Sequence, residues 1–113
     1  MTQMNVIVLR IREEDAEEFE RLFREEELPI WREYSEGGKF LYAVLSRVEF
    51  GSEQREGIRH YTLVVEVPGM AEHSEHDSDP RFEAFLAKAR AFQPEPPLVL
   101  GGTALIKAPE TPA

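Results

Sequence analysis

The stretch IRHYTLVVEV, residues 58 to 67, constrains this chain more than any other, because it reads as a β-strand that is apolar on both faces. Side chains alternate across a strand, so Tyr61, Leu63, Val65 and Val67 share one face while His60, Thr62, Val64 and Glu66 share the other. The same two-sidedness recurs in MNVIVLRI, 4–11, where Val6 and Val8 oppose Ile7, Leu9 and Ile11. In KFLYAVLSRVEF, 39–50, Leu41, Ala43 and Leu45 oppose Phe40, Tyr42, Val44, Val48 and Phe50. A sheet of such strands needs a cover on each side, and 113 residues are enough for one compact domain only.

Helical spacing fills the intervals between strands. After the first strand, Ala16, Phe19, Leu22, Phe23 and Ile30 recur at helical intervals, with acids on the opposite face. Asp15 followed by Glu18 resembles a capping box at the start. Pro29 ends or kinks this helix, LPIWREYSEGG adds a turn or two, and Gly37-Gly38 stops it. GSEQREG reads as the hairpin loop between the second and third strands. A second helix, DPRFEAFLAKARAF, carries the stripe Phe82, Phe85, Leu86 and Ala89, with Ser78 or Asp79 as its cap and Pro80 in its first turn. QPEPP breaks it, LVLGGTALIKA is the last strand, and residues 108–113 read as a flexible C-terminal tail beyond a single domain, 1–107.

The order β-α-β-β-α-β is the ferredoxin-like α+β arrangement: a four-stranded antiparallel sheet with two helices on one face. The helices cover one sheet face, and the other keeps several large apolar side chains. Such a patch marks a partner surface or a ligand cavity, and the economical cover is a second copy packed sheet to sheet, a homodimer.

Composition excludes several function classes. The net charge is −9, from 22 acids against 13 Lys and Arg, and no basic patch or basic-aromatic ribonucleoprotein signature offsets it; nucleic-acid binding is excluded on that ground. About half the acids lie between Glu13 and Glu36, where Glu25-Glu26-Glu27 reads as a solvated helix face. Without cysteine there is no disulfide, thiolate zinc site or thiol nucleophile. No run is long and apolar enough for a membrane span, which makes the cytoplasm the default expectation. LGGTA lacks the spacing of a phosphate loop and reads as a bulge or a close backbone approach.

Few residues carry candidate chemistry. His73 and His76 lie three apart in MAEHSEHDSDP, 70–80, with Asp77 and Asp79 beside them. Zinc needs three or four ligands held by rigid elements, and this stretch reads as a loop leading into the second helix, so no metal is assigned. His60, mid-strand, and His76, bordering a pocket, are the candidate catalytic bases, since imidazole titrates in the range needed to deprotonate a phenol or quinol. For His60 the competing reading is a buried, hydrogen-bonding interface residue. Trp31, Tyr34 and Tyr42 are candidate aromatic walls for a ligand, with core packing as the alternative for the first two.

The segment EVPGMAEHSEHDSDPRFEAF, 66–85, resembles the antibiotic biosynthesis monooxygenase-like branch of the dimeric α+β barrel superfamily. Members of that branch often leave the third strand through an acidic residue and reach a His, then a Pro and an aromatic, here Glu66, His76, Pro80 and Phe82. LPIWREY, 28–34, also resembles other small barrel relatives. The resemblance implies a homodimer with one pocket per subunit between sheet and helices, and no cofactor. It also implies a cofactor-independent monooxygenase or isomerase of a small aromatic or carbonyl compound. The alternative is a non-enzymatic dimeric protein that binds a small molecule or serves in stress. Haem-degrading relatives use an Asn on the first strand, a Trp near the second helix and a His within it. Asn5 stands near the first position and joins the ligand-binding candidates, but Leu86 replaces the His, and His76 or no aromatic stands where the Trp would fall, which argues against haem degradation.

Overall fold

A computed structural model describes residues 1–109. Strand β1 (Gln3–Arg12) leads through a short 3₁₀ turn (Glu13–Asp15) into helix α1 (Ala16–Leu22). A π turn (Phe23–Glu27) carries α1 straight on into α2 (Leu28–Glu36). Strands β2 (Tyr42–Arg47) and β3 (Ile58–Val67), helices α3 (Met70–Asp77) and α4 (Pro80–Arg90), and strand β4 (Leu98–Thr103) complete the chain. The sheet order is β2-β3-β1-β4, antiparallel throughout, which is the ferredoxin-like α+β order. No helix among the described residues is long and apolar enough to cross a membrane.

Register follows the alternation in the sequence within the paired strands; Phe40, ahead of β2, packs instead on the helix side, beside His76. Leu45, Leu63 and Ile7 stand in one cross-strand row, and Ala43, Val65 and Asn5 in the next, all facing the helices. There Phe19 packs 5.0 Å from Tyr61 and 6.0 Å from Phe23, and Phe23 meets Phe85 edge-on at 5.5 Å. The opposite parity puts Val44, Val64, Val6 and Leu100 in one row across all four strands, with Ser46, Thr62, Val8 and Leu98 beside it. No helix among the described residues covers that side.

Four local expectations are corrected. Asp15 does not cap α1: its backbone is already helical and its side chain makes no capping bond, lying instead 4.0 Å from Arg12. Pro29 neither ends nor breaks the helix, because the π turn just before it absorbs the interruption, Leu28 N–H donating to Phe23 C=O. The stretch 70–77 is a two-turn helix rather than a loop; Gly69, fully extended, starts it, and Asp79 then caps α4 by accepting from Arg81 N–H at 2.9 Å. Strands β2 and β4 are shorter than their apolar runs: Lys39 and Phe40 N–H donate back to Tyr34 C=O, and the partner strand β1 begins only at Gln3, opposite Thr103. Of the expected tail, residues 110–113 lie outside the described residues.

Phe19 is fully buried at the centre of this packing. Replacing it with Ala should lower unfolding stability by about 3–5 kcal/mol in chemical denaturation, the usual loss for a large aromatic truncated in a core.

Candidate active site

A cavity of about 240 Å³ lies between the sheet and the helices. That is roughly the liquid volume of eight waters, room for a one- or two-ring molecule. Leu63 and Val65 form part of its apolar floor, while Trp31 from α2 and Phe82 from α4 wall it. Into this lining project Asn5 from β1, Glu27 from the π turn, and His73, His76 and Asp77 from α3.

The polar groups converge on His76. Its Nε2 lies 3.1 Å from Glu27 Oε1 and its Nδ1 lies 3.3 Å from Asp77 Oδ1. Glu27 is only 2 % exposed and His76 9 %. The His76 ring lies between aromatic neighbours, with Phe82 at 4.2 Å, Phe40 at 5.1 Å and Tyr34 edge-on at 5.5 Å. Behind it, Tyr34 Oη donates to Asp79 Oδ2 at 3.1 Å and to Glu75 C=O at 3.3 Å, which ties α2 to α3 and to the α4 cap. Asp77 also reaches outward, its Oδ2 2.8 Å from His73 Nε2, and His73 Nδ1 lies 3.1 Å from Gln3 Oε1.

Burial and charge act in opposite senses on this pair. Burial disfavours the imidazolium, but the hydrogen bond and charge of Glu27, with those of Asp77, outweigh it and raise the His76 pKa above its ordinary 6.5. Burial raises the Glu27 pKa above 4.5, against the lowering effect of His76. The two groups therefore hold a shared proton more tightly than a free histidine would. Tyr34 is pushed up to about 12, first by burial and then by its bond to Asp79, so it remains a phenol donor.

Of the candidates named from sequence, the fold brings His76, Trp31 and Asn5 to this cavity. Tyr34 backs His76 from the next layer. His60 and Tyr42 have the other parity and lie on the uncovered sheet face, Tyr42 exposed at the edge and His60 buried opposite Arg10. Glu66, part of the resembling motif, is also on that face, held by the Thr2 hydroxyl and by Lys107 at 2.6 Å. Glu27 corrects the reading of a solvated acidic face. Glu25 and Glu26 do point outward, to Arg21 and Lys88, but the third acid turns inward. Its signal was its place four residues before Trp31 and seven before Tyr34, on the apolar stripe. Among the described residues no group of three or more His, Cys, Asp or Glu is placed to hold a metal ion.

No protein-family model matches the chain, and no curated protein sequence does. Solved structures match its fold over nearly their whole length. A Caulobacter crescentus protein provisionally assigned as an antibiotic biosynthesis monooxygenase is 20 % identical, at TM-score 0.74 over 93 % of this chain and 91 % of its own. A dimeric ferredoxin-like protein from an uncultured marine organism is 15 % identical, at TM-score 0.75 over 97 % and 93 %. An asparagine-to-alanine variant of SnoaB, a cofactor-independent oxygenase from Streptomyces nogalater, is 16 % identical, at TM-score 0.69 over 96 % and 98 %. At these identities the likeness is one of fold.

Glu27→Gln removes the charge that raises His76, and the imidazole pKa, followed by proton NMR, should fall. The sign of the stability effect follows. Because the folded pKa is raised, the contribution of the His76 proton is complete below pH 6.5 and is lost as pH rises through the folded value. Glu27, also raised, acts in the same direction. Denaturation midpoints of Glu27→Gln should accordingly fall less steeply above pH 6.5 than those of the unmodified protein.

Proposed function

We propose that this chain is a cofactor-independent oxygenase of a small aromatic or carbonyl compound, with His76 as the base. One observation carries the reading: a buried Glu–His pair set in the wall of a largely apolar cavity. A carboxylate on one ring nitrogen fixes the imidazole and leaves the other to take a proton. Here Glu27 holds Nε2, and Nδ1 is free to serve once a substrate displaces the more exposed Asp77 from its longer contact. The fold's occurrence in SnoaB supports the same chemistry.

His76 takes a proton from an acidic C–H next to a carbonyl or aromatic ring. Asn5, whose amide makes no hydrogen bond among the described residues, donates to the oxygen on which the negative charge gathers. The carbanion passes one electron to O₂, and the radical pair combines to a peroxide anion. The imidazolium returns its proton to that anion, and the hydroperoxide loses water. Overall R₂CH₂ + O₂ gives R₂C=O + H₂O, with all four electrons drawn from the substrate carbon, so no outside reductant is needed.

The active unit in this reading is a homodimer joined through the uncovered sheet face. Its supports are the aliphatic row Val44, Val64, Val6 and Leu100, in register across four strands, and the dimeric state of the marine neighbour.

2-Tetralone, a two-ring ketone with a doubly activated CH₂, is a suitable test compound. Oxygen consumption should match dione formation one to one, rise with pH through the raised His76 value, and fall about 10²–10⁴-fold in His76→Ala. Turnover unchanged in that variant sinks the assignment. Val64→Glu should convert a two-chain mass into a one-chain mass in sedimentation equilibrium; a single-chain mass for the unmodified protein removes the dimer.

A further inference from the structure

Three cavities adjoin one side chain. Besides the 240 Å³ chamber, an open cleft of about 420 Å³ runs between the first helix and β2, bordered by Glu20, Arg24 and Arg47. A smaller one of about 170 Å³ sits between α2 and β2, beside Leu28 and Ala43. Trp31 lines all three, and among the described residues it alone is shared by the first two. Trp31 is buried in the hydrophobic core, and its indole also borders all three spaces, so it stands as a wall between the chamber and the neighbouring clefts. Its one ring contact among the described residues is edge-on to Phe23 at 5.0 Å, and its N–H makes no hydrogen bond among them. Trp31 and Glu27 are four apart on one helix face, so the partition stands next to the Glu27–His76 pair.

We propose that Trp31 sets the size of ligand the site accepts. In place, it closes the 240 Å³ chamber against the 420 Å³ one and admits one- and two-ring aromatics. Removed, it joins the chambers and admits four fused rings lying along the sheet. This rests on the chamber being the ligand site of the proposed oxygenase, but the selection by size is a property of binding and is measured without turnover.

Calorimetric titration of the full chain with 1-naphthol and 1-hydroxypyrene tests it. The unmodified protein should bind 1-naphthol at least ten-fold more tightly than 1-hydroxypyrene. Trp31→Ala should tighten 1-hydroxypyrene at least ten-fold, and Trp31→Leu, which keeps more of the packing should the alanine variant fail to fold, should do so to a smaller degree. Equal binding of both compounds by the unmodified protein overturns the proposal. So does a size preference unchanged in the folded variants, or no binding of either compound to any form. Size selection without oxygen consumption on 2-tetralone leaves the partition standing and removes the oxygenase. Oxygen consumption without size selection does the reverse.

Discussion

The contact between Glu27 and His76 is the constraint on which the rest of the site depends. Neither group is tolerable alone where it lies. An isolated carboxylate at 2 % exposure carries a desolvation penalty of several kcal/mol, and deleting one partner of such a pair commonly costs about 3–5 kcal/mol because the other is left uncompensated. The pair therefore requires its two helices to be held in fixed relation, and the surrounding bonds do that. Tyr34 Oη reaches Asp79 from α2, Asp79 caps α4, and Lys39 bonds Glu75 on α3. Arg81 and Tyr34 hold the Asp79 carboxyl well below the usual carboxylate range, with Arg81 the larger influence, so this tie persists through ordinary acid conditions.

Parity in the strands divides the molecule into two surfaces with different work. Odd-numbered positions of β1 and β3 face the helices and supply the core and cavity floor; even-numbered ones face away. A slip of one residue would exchange Asn5 and Ile7 for Val6 and Val8, removing the amide from the cavity. This explains why His60 and His76, equivalent as candidates in composition, part company in space. One belongs to the sheet's outer face beside Arg10, and the other to a helix beneath the inner face.

Much of this was legible in the sequence. Strand β3 falls at the expected residues, the helix stripe through Phe85 and Ala89 is buried, and the order of elements gives the sheet topology. The site was less legible because its key residues occupy irregular local structure. A regular 3.6-residue period from Phe19 turns Glu26 and Glu33 toward the core, whereas one extra residue in the π turn turns Glu27, Trp31 and Tyr34 there instead. The run of three glutamates does not itself mark which one the shift will bury; only the spacing to Trp31 and Tyr34 downstream does. Helix α3 was hidden for a related reason. Its buried residue is a histidine rather than an aliphatic, so no apolar stripe announces it.

The third polar element has its own irregularity. Asn5 faces Gly101 across the β1–β4 pair, and a Cβ at that glycine would approach Asn5 Oδ1 to 3.2 Å. A Cβ there would make the amide give by a few tenths of an ångström, so the glycine that weakens the edge strand also leaves Asn5 its room beside the cavity. A π turn, a glycine-started helix and a glycine in a strand each depart from regular structure, and together they bring Glu27, His76 and Asn5 to the same 240 Å³. Local rules are expected to fail together where a fold is bent toward a site, and here they fail around His76.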